Sequence, residues 1–175
     1  MVARMAADAE AQFIRIPVKG RWPLLLAVPE KDLPTEQARK VLPTQYSRAD
    51  AVSNVQNSML LLAAFTCGRQ DLLGPALEDR FHQPYRAALC PLLPALQNMG
   101  KPAGLLGVAL SGAGPSVLMF LDGRARVNQV VTAVKSHLRA QGLAAELIRT
   151  AIEEKGAAQG RNWQKAHTRL VRPRA

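Results

Sequence analysis

The sequence predicts an α+β fold, and three observations lead there. Gly104 to Leu110 and Ser116 to Leu121 are two β-leaning apolar segments joined by Ser111-Gly112-Ala113-Gly114-Pro115. A helical pattern from about Ala125 to Ala140 and an alternating stretch from Ala144 to Ile152 follow, completing a strand-strand-helix-strand order preceded by helices. At 175 residues and 48% hydrophobic content, the chain is long and apolar enough to fill the core of one ordinary domain.

The elements are predicted in chain order as follows. Residues 13 to 18, FIRIPV, alternate apolar and polar side chains as a half-buried strand does, and LLLAV at 24 to 28 is a short continuous apolar run. The pair reads as a hairpin or as two neighbouring strands. Pro29, Pro34 and Pro43 then punctuate a short helix with Thr35 as N-cap and Glu36 at its positive end. Ser47 and Asp50 stand three apart just before Ala51, Val52, Val55, Met59 and Leu62, the spacing of an N-capped amphipathic helix running to about Cys67 and stopped by Gly68. Asp71 starts a second helix through Leu72, Leu73, Ala76 and Leu77, and Pro84 suits a first helical turn. The helical stretch beyond it must bend or restart at Pro91 and Pro94 and stop near Gly100, because proline removes a helical hydrogen bond. Asp122-Gly123 turns the chain into the helix that Gly142 ends.

Composition excludes several classes of function. The longest nearly unbroken apolar run, Met59 to Cys67, is about half of the ~20 residues a membrane-spanning helix needs. Asp8 and Glu10 occupy the stretch where a secretory signal would be apolar, so no leader is expected. Cys67 and Cys90 lie in apolar contexts without metal-ligand spacing, which predicts reduced, buried thiols and a cytoplasmic compartment. The formal charge of +10 is uneven: residues 1–120 hold 12 Lys or Arg against 9 Asp or Glu, whereas residues 121–175 hold 11 against 4. The excess concentrates in a basic tail at 155–175 with one aromatic, Trp163, and no groove-reading motif. That tail reads as a solvated terminus, not a nucleic-acid binder.

Gly112 and Gly114 would let backbone N–H groups crowd against an anion without a side chain in the way. A tight strand-to-strand turn explains the same glycines with no ligand, and spacing alone favours it. Context decides, through three stretches in a fixed order: Val41-Leu42-Pro43 with Tyr46-Ser47-Arg48-Ala49-Asp50-Ala51-Val52, then Asp79-Arg80-Phe81-His82-Gln83-Pro84-Tyr85-Arg86, then Leu110-Ser111-Gly112-Ala113-Gly114-Pro115-Ser116. Together these resemble the homoserine kinase branch of the GHMP small-molecule kinases, over roughly residues 13 to 152.

The resemblance implies a GHMP-kinase C-terminal domain, an antiparallel sheet covered by helices, at 35–154. Residues 1–34 would be a remnant of the N-terminal domain, and residues 155–175 the tail. The strands at 13–28 would then be left unpaired, an exposed edge that invites self-association; a homodimer is left open. Arg48, Arg86 and His82 would bind homoserine, the arginines through two parallel hydrogen bonds to its carboxylate. Read without the resemblance, Arg48 is a surface arginine beside Asp50, Arg86 a solvated helix residue and His82 a loop holder. Asp50 and Asp79 fit helix capping or orientation of the arginines better than base catalysis. Ser111, Gly112, Ala113 and Gly114 would face phosphate. The implied reaction is transfer of the ATP γ-phosphoryl group to the homoserine hydroxyl with Mg²⁺, giving O-phosphohomoserine on the way to threonine, and no catalytic residue is assigned. The P-x-x-x-G-L-G-S-S-A-A-like loop that holds nucleotide in this family has no counterpart in the sequence, nor is there a GxxxxGK[ST]. The chain is thus expected to be the C-terminal portion of such a kinase, with a non-catalytic amino-acid-binding domain or another GHMP-type kinase as alternatives.

Overall fold

The computed structural model describes residues 2–5, 11–100, 102 and 104–152, so the basic tail at 155–175 lies outside the described residues. Strand β1 (Val2–Met5) pairs antiparallel with β2 (Ala11–Ile14), separately from the main sheet. After β3 (Pro23–Val28) come helices α1 (Thr35–Lys40), α2 (Arg48–Cys67), α3 (Leu73–Ala76), α4 (Gln83–Arg86) and α5 (Leu92–Gln97). Strands β4 (Leu105–Leu110) and β5 (Val117–Leu121), helix α6 (Val127–Ala140) and β6 (Glu146–Ala151) complete the described elements. Four strands form one antiparallel sheet in the order β4-β5-β3-β6.

The apolar run at 24–28 explains why β3 sits inside that sheet. A strand covered on both faces needs apolar side chains at consecutive positions rather than alternate ones. Leu25 and Ala27 join Val117, Met119 and Leu121 beneath α5 and α6, which contribute Leu92, Leu93, Leu96, Val130, Val134 and Leu138. Leu24 joins the opposite cluster with Trp22, Phe120, Ala64 of α2 and Leu73 of α3. Helices therefore cover both faces. Full burial of a side chain such as Leu25 contributes about 1.5–3 kcal/mol.

This corrects the expectation that the strands at 13–28 are left unpaired. β3 is hydrogen-bonded on both edges, Leu24 standing opposite Phe120 on one side and Thr150 on the other. Nor do 13–18 and 24–28 form a hairpin: Phe13 and Ile14 belong to β2, and residues 15–19 have no regular structure. Pro17, which has no N–H to donate, interrupts that stretch. Among the described residues, the free edges of the sheet are those of β4 and β6.

Helix α2 forms as its ends dictate. The Ser47 Oγ accepts the Asp50 N–H at 3.0 Å and donates to the Asp50 carboxylate at 2.6 Å, and Gly68 closes the helix in the left-handed conformation. Its apolar spacing misleads, however. Val52, Val55 and Met59 are 49%, 63% and 60% exposed, while Leu61, Ala64 and Phe65 pack inward. The rotation is set by Asn57, which donates to the Glu78 carbonyl at 2.9 Å, and by Asn54, which accepts the Arg80 N–H at 2.8 Å.

Three smaller expectations also change. Thr35 is the first helical residue of α1, and the cap position is Pro34, with no side-chain cap bond. Asp71 lies in a single 3₁₀ turn, its carboxylate bound to Arg69 at 2.8 and 2.6 Å, and the helix that follows is only α3. Cys67, expected to be buried, is exposed at the end of α2, whereas Cys90 is fully buried. The interruption expected at Pro91 and Pro94 is present, with a 3₁₀ turn at Ala87–Leu89 between α4 and α5.

Candidate functional site

The three sequence stretches converge through named bonds. Tyr46, two residues before Arg48, donates its hydroxyl to the Phe81 carbonyl at 2.9 Å. Its ring lies 4.4 Å from that of Phe81 and 6.1 Å from that of Tyr85, so an aromatic cluster holds the start of α2 beside the 79–86 segment. Asp79 organises that segment: its carboxylate accepts the N–H groups of Phe81, His82 and Gln83 at 2.8, 3.0 and 2.7 Å. The last two are donors at the start of α4, so Asp79 anchors the entry into that helix, whose cap position is His82, and Asp50 belongs to the cap of α2.

Arg86 links the second stretch to the third. Its side chain is buried, with 7% of the residue accessible, and Nε donates to the Ala38 carbonyl of α1 at 3.0 Å. Nη1 donates to the Gly112 carbonyl at 3.4 Å. The solvated helix residue that Arg86 resembles in isolation is thus a buried tie between α1, α4 and the glycine loop. Two of its five N–H donors already have backbone partners, which leaves both N–H groups of Nη2 and the second of Nη1 without one among the described residues. Arg48 is the opposite case, exposed at the first turn of α2 and without a hydrogen-bond or ion-pair partner among the described residues. His82 is also exposed, with Nδ1 3.6 Å from the Asp79 carboxylate.

The glycine loop between β4 and β5 is a compact turn. The Ser111 N–H donates to the Ser116 carbonyl at 2.9 Å, and the Gly114 N–H to the Ser111 carbonyl at 3.3 Å. Gly112 and Gly114 have φ of +65° and +88°, which L side chains rarely adopt, and the Gly114–Pro115 peptide is cis. The two glycines differ in surroundings. A Cβ on Gly112 would meet nothing within 4 Å, whereas one on Gly114 would stand 2.7 Å from Cys90 Sγ and 3.3 Å from Leu110 Cδ2. Cys90 therefore forms the floor under the loop; burial pushes its thiol pKa up, and nearby Arg86 pulls it partly back. The N–H groups of Gly112 and Ala113 have no partner among the described residues, so the loop is a turn that keeps two donors free.

Asp79, His82, Gln83, Arg86, Leu110 and Gly112 line a cleft of about 250 Å³ between α4 and the loop. Gln83, which sequence reasoning did not single out, is among them and is buried at 8% accessibility. The only trace of it in the sequence is its place within the His82-Gln83-Pro84-Tyr85-Arg86 stretch. Nothing near Cys90 marks it as the loop's floor, because that contact spans more than twenty residues of chain. Among the described residues no group of three or more His, Cys, Asp or Glu side chains could hold a metal ion, and no helix is long and apolar enough to cross a membrane.

The chain is similar to known proteins over most of its length. The family model for the C-terminal domain of GHMP kinases matches residues 60–140. The homoserine kinase of Solibacter usitatus (strain Ellin6076) is 46% identical over 143 residues, covering 82% of this chain and 46% of that protein. The homoserine kinase of Trichormus variabilis is 39% identical over 142 residues, 81% of this chain and 47% of the relative. The chain thus spans about half the length of the curated relatives it matches. Among solved structures, homoserine kinase from Cytophaga hutchinsonii superposes with a TM-score of 0.77 at 22% identity, over 88% of this chain and 49% of that one. Mevalonate kinase of L. major superposes at 0.64 and 16% identity, over 86% of this chain and 48% of that one; at these identities the likeness concerns the fold. The chain carries a GHMP-kinase C-terminal domain, an α+β unit with a four-stranded antiparallel sheet between helices, and most of its length is similar to about half of these homoserine kinases.

Proposed function

We propose that this chain forms the substrate-holding face of a homoserine kinase, with β3 to β6 as its C-terminal domain and the β1–β2 ribbon as part of the nucleotide-binding half. The observation that carries the proposal is the convergence of Arg86 and the Ser111–Gly114 loop on one cleft, in a chain 46% identical to a homoserine kinase over 143 residues. Arg48 and the free Nη2 of Arg86 bind the carboxylate of homoserine, His82 borders the amino-acid end, and the Gly112 and Ala113 N–H groups face phosphate oxygens. ATP, when bound, supplies the γ-phosphoryl group to the homoserine hydroxyl. This chain contributes positioning, which dominates phosphoryl transfer. The described residues do not offer a ligand set for the implied Mg²⁺, which would be held by the nucleotide-binding half. A cytoplasmic place in threonine biosynthesis follows from the same reading.

The test supplies the nucleotide-binding half of the Solibacter relative, fused ahead of this chain, and measures ATP-dependent phosphorylation of homoserine. Arg48→Ala then raises the KM for homoserine by roughly 10- to 100-fold, the worth of a hydrogen bond to a charged group at ~1.5–3 kcal/mol. Turnover of another alcohol in preference to homoserine would leave only the superfamily assignment. Homoserine binding by calorimetry without turnover in the fusion would favour an amino-acid-binding domain.

A further inference from the structure

We propose that Gln83 is a positioning residue for the phosphate-facing loop, acting through the backbone of β4; the proposal rests on the functional reading above. β4 is an edge strand, so alternate N–H groups along it point away from the sheet. The Ser111 N–H points inward to the Ser116 carbonyl, hence the N–H of Leu110 points outward, with no strand to receive it. Gln83 receives it instead: its Oε1 accepts the Leu110 N–H at 3.2 Å. The same amide is fixed on two further sides, since Oε1 also accepts from Gln97 Nε2 at 3.3 Å and Nε2 donates to the Leu77 carbonyl at 3.1 Å.

The consequence is a fixed distance between two parts of the cleft. Gln83 opens α4, and Arg86 closes it. Leu110 closes β4, and the loop begins at the next residue. The Gln83–Leu110 bond and the Arg86–Gly112 bond therefore hold the loop against α4 at two points, one on the strand and one on the turn. Of the two, the Arg86 bond is at 3.4 Å and belongs to a side chain that must also serve ligand. The Gln83 bond comes from a side chain engaged entirely within the protein. The register of the Gly112 and Ala113 N–H groups relative to Arg86 is thus set by Gln83, and removing its acceptor also orphans a backbone donor at the mouth of the cleft.

The experiment uses the full 175-residue chain, ¹⁵N-labelled, with inorganic phosphate as the probe. Gln83→Leu is expected to speed hydrogen exchange at Leu110 and Gly114 at least tenfold relative to amides of α6, and to weaken the phosphate response of the Gly112 and Ala113 signals by tenfold or more. Gln83→Glu keeps an acceptor for Leu110 and for Gln97 while exchanging the donor to Leu77 for a carboxylate oxygen, and it retains exchange at Leu110 within about threefold of wild type, read relative to amides of α6 so that a global loss of stability cancels. That variant decides the matter if Gln83→Leu does not fold. Equal phosphate affinity in wild type and Gln83→Leu, or rapid Leu110 exchange in Gln83→Glu, overturns the proposal. A wild-type chain whose Gly112 and Ala113 signals ignore phosphate, while Leu110 still depends on Gln83, overturns the phosphate-facing reading of the loop and with it the ligand-directed role of Gln83, leaving a purely structural bond.

Discussion

Gly114→Ala should be much more damaging than Gly112→Ala, although both replace a glycine of the same loop with the smallest side chain that has a Cβ. Both positions have positive φ, and holding an L residue there costs roughly 1–2 kcal/mol. At Gly112 that is the whole cost, because the added methyl meets nothing within 4 Å. At Gly114 the methyl would stand 2.7 Å from Cys90 Sγ, on a side chain that is fully buried and cannot swing aside. Overpacking of that kind adds about 1–3 kcal/mol, giving roughly 2–5 kcal/mol in all, a large part of the ~5–15 kcal/mol that holds a domain folded. Urea unfolding of each variant by circular dichroism measures the difference. A double-mutant cycle with Cys90→Ala assigns its cause: deleting the sulfur should recover at least about 1 kcal/mol in the Gly114→Ala background beyond its effect alone. If Gly114→Ala proved no worse than Gly112→Ala, or the cycle showed no coupling, the placement of Cys90 under the loop would be wrong.

Further outcomes follow from the same structure. Ser47→Ala removes the acceptor for the Asp50 N–H and should cost about 1 kcal/mol, read as a lower urea midpoint with unchanged slope. A thiol reagent should label Cys67 rapidly in the native chain and Cys90 only after unfolding, as their exposure dictates; simultaneous labelling would contradict the burial of Cys90. Burial raises the folded-state pKa of Cys90 above its ordinary value of 9.0, so the unfolded chain releases that proton first. Stability at this site is therefore intact below pH 9.0 and declines as pH rises from there through the folded-state value, a slope that Cys90→Ala should remove in pH-dependent unfolding.

Local chemistry was legible wherever the signal and its structural consequence lie within one turn of chain. Ser47, Asp50 and Gly68 announce both ends of α2, and Gly112 and Gly114 announce the turn between β4 and β5. What depends on distant partners was not legible. The run at 24–28 is apolar enough for an interior strand, yet its partners β5 and β6 begin about ninety and one hundred and twenty residues later, and nothing within the run names them. The exposed stripe of Val52, Val55 and Met59 fails for a related reason. Helical spacing says which residues share a face, but Asn54 and Asn57, bonded to the 78–80 segment, decide which face turns inward. In the site, Arg86 bonds the Gly112 carbonyl of the loop, a contact that motif order does not specify, and its burial depends on α1, whose Ala38 carbonyl it binds.

That burial separates two arginines that a motif treats alike, and the separation can be measured. Arg48 is exposed and has no hydrogen-bond or ion-pair partner among the described residues, so Arg48→Ala should leave unfolding within about 0.5 kcal/mol of wild type while weakening homoserine binding in the fused kinase. Arg86→Ala removes the donor from two backbone carbonyls, those of Ala38 and Gly112, and a buried acceptor left unsatisfied costs roughly 1–3 kcal/mol. It should lose stability as well as binding, and Arg86→Lys should not repair it, because an ammonium lacks the planar fork that reaches both carbonyls from one position. Unfolding of the unfused chain reads the first effect without any substrate. Equal stability of the Arg48→Ala and Arg86→Ala chains would mean that Arg86 is not the tie between α1 and the loop, and that its guanidinium is open on every side.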